Sequence, residues 1–496
     1  MGKGKKNMRN VRRGRAMKRP IEDKTPEWVI NINNCLKEGP DYDSGRSWTI
    51  YRVPQNMREV YRNAYVPKII SVGPCHYEEQ GRQVMEEHKM RYLLRLLGGR
   101  LQENGEQALP QVCNGSHLED VEQAEEPVPK VRKVICLEDL VGAMRELEQK
   151  TRDRYSEAFD INSDDFVQMM VVDGCFVVEL LRLYHKFDKE EDVDDPIFTT
   201  RWMLRTLQRD LLMLENQLPF FVLEELFKLT SLVEEPSLVE LTLKFFDPLL
   251  PRENTPQPNP KIKFDHMLHV FRSTFLSSVK DETSALVWRQ LQTSASIPLV
   301  RERQLIHCVK ELQEAGVKLK KREDRQLLDI NFEGRVLDIP PLYIDANTVP
   351  LLLNFVAYEQ CDQKAKPFFT NFFMFFDSLI NTAKDVEILH KNGIINHALG
   401  SDKDVASLFN KLCKEIVYDL DECYLSRQMK GVNDYCKAYY ATKWHVWWTN
   451  LIRDYFSSPW TFLSLVAAIT LLILTVTQTA YDVRGYYHSS SDAHPQ

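Results

Sequence analysis

A chain of 496 residues, 43% hydrophobic and 27% charged, is long enough to bury a sizeable core and too apolar to be disordered. Its formal charge of −7 at pH 7, with no basic face interleaved with aromatics, argues against nucleic-acid binding. Its ten cysteines are dispersed without a CxxC pair, which excludes the usual zinc and disulfide frameworks and points to a reducing compartment. The first twenty residues, MGKGKKNMRNVRRGRAMKRP, carry nine Lys or Arg and no acid, leaving 55 basic and 71 acidic groups in the rest, a balance of −16. They have no apolar h-region, and Lys6 stands where a myristoylation motif needs Ser or Thr. Residues 1–20 therefore read as a basic disordered arm, solvated or drawn to an anionic leaflet or an import receptor.

From 21 to 442 the periodicity is mainly helical. Amphipathic or buried helices are expected at 137–149, 165–184, 201–215, after Pro219, and at 264–279, 283–293, 300–315, 348–360, 367–381, 383–391 and 402–417. The segment 165–184 is apolar nearly all round, the mark of a central helix. The Phe-rich 367–380 is too short and too interrupted by Asn371 and Asp377 to cross a bilayer. Ser401 and Asp404 look like a capping box. LLDINFE and RVLDIPPLYI around Gly334 predict a β-hairpin. Residues 102–133, which hold the sequon Asn114-Gly115-Ser116, and 251–263 are polar and Pro-rich and read as loops.

The familiar catalytic signatures GxSxG, HExxH and GxGxxG are absent, and GPDYDSGRS (39–47) has the wrong spacing for a phosphate loop. His266 and His269, and Cys75 and His76 with His88, lack the convergent spacing of a metal site. No cofactor and no metal is expected. Two acids remain as weak catalytic candidates. Asp173 projects opposite the polar side made by Gln168, Glu179 and Arg182, and Asp210 points among Met203, Leu207 and Leu214. Two carboxylates in apolar surroundings suit a general acid/base pair, or else each is held structurally by a helix end or a cation. Glu215-Asn216-Gln217 before Pro219 reads as a polar corner between helices.

The tail is different in kind. The uncharged run 457–481 exceeds the roughly 20 helical residues that cross a ~30 Å hydrocarbon core. Before it, Trp444, Trp447, Trp448, Leu451 and Tyr455 share one helical face, so 443–457 reads as an interfacial amphipathic helix. Ser458 reads as the N-cap and Pro459 as the first position of a transmembrane helix at 459–480, with a short tail at 481–496. Trp444, Trp447, Trp448, Tyr455 and Trp460 are the expected membrane-interface residues. Lys437, Lys443 and Arg453 precede the span and Arg484 alone follows it, which predicts a cytosolic main domain and, with so few residues beyond Ala480, post-translational insertion.

Several blocks in fixed order resemble the plant family called domain of unknown function 247: YRVPQNMREVYRNAYVPKIISVGPCHY, DGCFVVELLR, DLLMLENQLPFFVLEELF, IPPLYIDANT with LLLNFVAYEQC, FFDSLINTAKDVEILHKNGII, and the tail SSPWTFLSLVAAITLLILTVTQT. Cys75 departs from the aromatic or His usual at its position. The resemblance implies a C-terminal membrane anchor and no assigned enzymatic activity, and some grass members are implicated in pollen–stigma self-incompatibility as male recognition determinants. The fold expected is mainly α: one large helical domain with a small β-hairpin, plus a single C-terminal transmembrane helix. The function expected is a non-enzymatic recognition or scaffold protein on a lipid bilayer with a protein partner. The alternative is a membrane-associated enzyme using Asp173 and Asp210.

Overall fold

The computed structural model describes residues 47–77, 83–98, 136–231, 235–250, 262–276, 306–323, 326–418, 423–456 and 459–489, together with Val29. These fall almost wholly in the compact unit Trp48–Gln496. The basic arm, residues 39–46, the loop 102–133 with its sequon, most of 251–263, the helix expected at 283–293 and the cap Ser458 lie outside the described residues.

In chain order the helices are α1 (Gln55–Val60), α2 (Gln83–Leu96), α3 (Leu137–Arg152), α4 (Ser163–Asp188), α5 (Pro196–Thr199), α6 (Arg201–Asp210), α7 (Phe220–Leu229), α8 (Leu238–Phe246), α9 (Met267–Leu276) and α10 (Val309–Glu314). Strands β1 (Lys318–Lys321), β2 (Asn331–Glu333), β3 (Val336–Ile339) and β4 (Leu342–Ile344) follow, then α11 (Thr348–Cys361), α12 (Phe368–Leu379), α13 (Ala383–Lys391), β5 (Ile395–His397), α14 (Asp402–Leu412), α15 (Ser426–Phe456) and α16 (Pro459–Ser489). The fold is mainly helical, as its periodicity predicts.

α4 is the axis of the first half. Asn162 caps it by accepting from Asp165 N, and nearly every residue from Phe166 to Tyr184 is buried against α2, α3, α7 and α8. Its expected polar side is a correction: Gln168 is exposed, but Glu179 and Arg182 are only 4% and 5% exposed. Arg182 is satisfied by a 2.8 Å pair with Glu235 and a 2.9 Å bond to Thr230 Oγ1. A charge on a buried helix survives only when such partners reach it.

The second half is built on phenylalanine. Phe369, Phe372, Phe375 and Phe376 of α12 are fully buried, and Phe369 packs on Phe355 of α11 with centroids 4.5 Å apart. Glu359 of α11 accepts from Phe369 N and Thr370 N at 2.9 and 2.7 Å, neutralising the orphan donors at the start of α12, while Arg272 of α9 donates to the same carboxylate. α14 starts with Ser401 accepting from Asp404 N, one half of the expected capping box; the Asp404 carboxylate accepts from the Ser401 hydroxyl at 2.8 Å.

The hairpin exists, with β2 antiparallel to β3 across Gly334, but it is part of more. β1 adds to β3 in parallel, which local pattern does not announce. The run RVLDIPPLYI divides at Pro340-Pro341, where two residues without N–H end β3; β4 then pairs in parallel with β5 instead.

Further boundaries differ from expectation: α9 starts at Met267, not 264, and α14 ends at Leu412, not 417. α6 ends at Asp210, not 215. The helix expected at 443–457 does not start at Lys443 but is the C-terminal part of α15, which begins at Ser426 because Met429, Val432 and Cys436 recur at helical spacing and are buried. α16 runs on to Ser489, and among the described residues Val466–Arg484 is long and apolar enough to cross a membrane.

Where α4 crosses α7, a Cβ at Gly174 would run into Leu226 Cδ1, so a larger residue there forces the buried Leu226 side chain to turn away. Gly174→Ala should therefore lower stability by about 1–3 kcal/mol through overpacking. Thermal unfolding checks this, and the double variant with Leu226→Ala should not add its full cost to the first; independent, additive losses would contradict the contact.

Candidate functional site

Asp173, Asp210 and the corner Glu215-Asn216-Gln217 converge on one irregular segment, the strap. Residues 67–76 (PKIISVGPCH) run between 3-10 turns at Arg62–Ala64 and Pro74–His76 and pair with no strand. Their backbone polar groups are buried all the same, and each needs a partner. Side chains supply them.

Asp210, at the last position of α6, accepts from Lys68 N, Ile69 N and Ile70 N with Oδ2 at 2.7, 2.8 and 3.3 Å. Asn216 then reads the strap in both directions, accepting from Val72 N at 2.7 Å and donating to Ile70 O at 3.1 Å. Asp173, from the middle of α4, accepts from Gly73 N at 2.9 Å. Lys89 of α2 donates to Ser71 O at 2.7 Å and forms a 2.7 Å ion pair with Asp173. Gly73 sits at φ +74, and a Cβ there would stand 3.0 Å from Gln217 O and 3.1 Å from the Tyr155 hydroxyl, so only glycine fits.

The corner 211–219 explains why α6 stops early. Asn216 Nδ2 takes the Asp210 carbonyl at 2.9 Å, and Gln217 Nε2 takes those of Leu211 and Met213 at 2.7 and 2.9 Å. These side chains answer the carbonyls that the next turn of helix would have used. Gln217 Oε1 accepts from Leu268 N of α9 at 3.1 Å, and Asn354 of α11 joins Leu214 N to Ala64 O at 2.8 and 2.9 Å. Glu215 gathers two arginines and more: Arg58 bonds its Oε1, Arg52 lies 3.1 Å and the His76 ring 3.4 Å from Oε2, and Val53 N donates at 2.7 Å.

Burial and the segment's own N–H groups act on the two acids in opposite directions. Burial pushes the carboxyl of Asp173 above its ordinary value, with Lys89 and Gly73 N–H pulling against it. Burial likewise raises Asp210, opposed by the strap N–H groups and Arg209. The two acids are 3% and 0% exposed. Each therefore holds the strap, and the partner of Asp173 is a lysine that local pattern did not point to. Burial pushes the Cys75 thiol up to about 12, which leaves little thiolate for nucleophilic chemistry.

His76 stands beside Glu215, while His88 lies near Arg91 and Asp195, so the expected loose cluster does not converge. His266 and His269 do meet, their rings 6.2 Å apart, with His266 edge-on to Tyr358 at 4.9 Å and His269 Nδ1 3.1 Å from Asp265. Among the described residues, no three His, Cys, Asp or Glu side chains are arranged to hold a metal.

Of the residues expected at a membrane interface, Trp444 and Trp447 are 66% and 53% exposed, with ring centroids 5.2 Å apart. Trp448 and Tyr455 lie on α15 and Trp460 on α16; their side chains are outside the described set.

The profile of the plant family of unknown function numbered DUF247 matches residues 50–474, from the strap's upstream neighbour into α16. The chain belongs to that family. It is 31% identical to UPF0481 protein At3g47200 of Arabidopsis thaliana over 95% of this chain and 92% of that one. It is 24% identical to the putative UPF0481 protein At3g02645 of the same plant, over 93% and 97%. No solved structure matches the chain. The family match spans strap, corner and α4 together.

Two outcomes follow for this family member. Asp173→Asn should lower stability by about 1–3 kcal/mol, because it unbalances Lys89 inside a buried network; unchanged denaturant unfolding would contradict the structural role. Burial lowers His266 to about 3, against 6.5 when unfolded, so between those values the unfolded chain binds the extra proton and stability must fall as pH falls. Unfolding scans of the wild type between pH 7 and 5 should show that loss, and His266→Asn should flatten it; parallel profiles would count against it.

Proposed function

We propose that this protein is a membrane-anchored interaction platform without catalytic activity, its main domain on the cytosolic side. The observation that carries the reading is α16: Val466–Arg484 is apolar, and none of that window is buried inside the protein. A helix of that length and composition, uncovered by protein, fits the thickness of a bilayer. The exposed pair Trp444 and Trp447 just before it suits the headgroup layer, where an indole keeps its N–H wet. Lys437, Lys443 and Arg453 on the amino side against Arg484 on the other favour a cytosolic domain. The commitment of Asp173 and Asp210 to backbone N–H groups supports a scaffold rather than an enzyme. With the domain on that side the expected partner is a cytosolic protein, and the pollen–stigma recognition implied for some grass members of the family would require the opposite topology.

The full-length protein should stay with membranes through alkaline carbonate extraction, and deletion of 459–496 should release it. Asn114 should carry no glycan, whereas a sequon appended beyond Gln496 should acquire one. Extraction of the intact chain by carbonate would remove the anchor from this reading. A glycosidase-sensitive shift abolished by Asn114→Gln would reverse the topology and leave the anchor standing.

A further inference from the structure

α6 and the strap together present a second chemistry, unrelated to the anchor. In RWMLRTLQRD, Arg201, Arg205 and Arg209 recur every four residues, about 6 Å apart along one helical stripe. Arg201 and Arg205 are exposed, and neither side chain has an ion-pair or hydrogen-bond partner among the described residues. Arg209 is 4% exposed, and its Nε and Nη2 have no hydrogen-bond acceptor. Nη2 stands 3.3 Å from Asp210 Oδ1, near enough to feel its charge but out of line for a hydrogen bond.

The strap adds Lys68. Its backbone N–H is 2.7 Å from Asp210 Oδ2, which fixes its position at the end of α6, and its exposed ammonium has no partner among the described residues. Asp210 spends Oδ2 on three N–H groups and turns Oδ1 to Arg209 alone, so it partly balances that guanidinium and neither Arg205 nor Lys68. Burial pulls the Arg209 guanidinium below its ordinary value, and Asp210 opposes that shift. The carbonyls at the end of α6, which would repel an anion, are occupied: Leu207 O accepts from Leu211 N, Arg209 O from Leu212 N and Asp210 O from Asn216. Trp202, 59% exposed, stands beside the stripe as an apolar wall.

A buried guanidinium with two donors that lack an acceptor, on the same stripe as Arg205 and at the helix end that holds Lys68, two cations without a partner among the described residues, suits a compact multivalent anion. We infer that Arg205, Arg209 and Lys68 bind a phosphate monoester group. Its dianion offers the several acceptor oxygens that an arginine fork and an ammonium require together. A soluble phosphate ester and the headgroup of phosphatidic acid share this chemistry.

The test uses the full-length chain in phosphatidylcholine nanodiscs. One arm titrates glycerol 3-phosphate by calorimetry, and the other measures capture by phosphatidylcholine vesicles with and without phosphatidic acid. Binding in the first arm alone identifies a soluble ester and in the second alone a lipid, and either supports the site. Arg205→Glu and Lys68→Glu, both at exposed positions, should each weaken binding by about tenfold or more without moving the melting temperature. They carry the test if Arg209→Gln fails to fold. Lys320→Glu, an equally exposed lysine on β1, should leave binding unchanged. Absence of binding in both arms, undiminished binding in Arg205→Glu and Lys68→Glu, or an equal loss in Lys320→Glu would overturn the proposal.

Discussion

Peptide groups buried without a helix or sheet to pair them impose the governing constraint on this fold. The strap at 67–76 has neither, so Asp173, Asp210, Asn216 and Lys89 act in place of a neighbouring strand. Because those four residues come from α4, α6, the corner and α2, pairing the strap also fixes the relative positions of those elements. Gln217 and Asn354 extend the same logic to α9 and α11. Side chains that bond backbone tolerate few substitutes: a residue one methylene longer or shorter moves its oxygen out of line with the N–H.

The buried charges follow one pattern. Asp173 with Lys89, Arg182 with Glu235 and Arg272 with Glu359 each combine an ion pair with bonds to backbone or hydroxyl groups. Ion pairs buried in this way are weak sources of net stability but strict about geometry, since removing either partner strands the other. They fit a protein whose hydrophobic core is already large and whose remaining requirement is that α2, α4, α9 and α11 settle in one arrangement.

Much of this was legible in the chain. The all-round apolar segment became α4, the Phe-rich run became α12, and the polar triplet Glu215-Asn216-Gln217 became the corner, because periodicity and turn chemistry are local. Asp173 and Asp210 stood out because each is an acid on an apolar face. What escaped was long-range. Nothing near Lys89 says that it reaches Ser71 O, and nothing in KLKK says that it pairs with VLDI. The start of α15 was missed for another reason: the tryptophans draw attention to its far end, while the modest stripe Met429, Val432 and Cys436 carries its packing.

The strap also sets a timetable. Lys68 waits for Asp210, 142 residues later, and Asn354 meets Ala64 across 290. At about 5–20 residues per second, synthesis takes on the order of 10 s to deliver the first of these partners. Through that interval the apolar stretch holding Ile69, Ile70 and Val72 has emerged with its peptide groups paired only by water. A nascent chain in that condition is a substrate for ribosome-associated chaperones, so the cellular yield of this protein depends on how well that early segment is shielded before its corner exists.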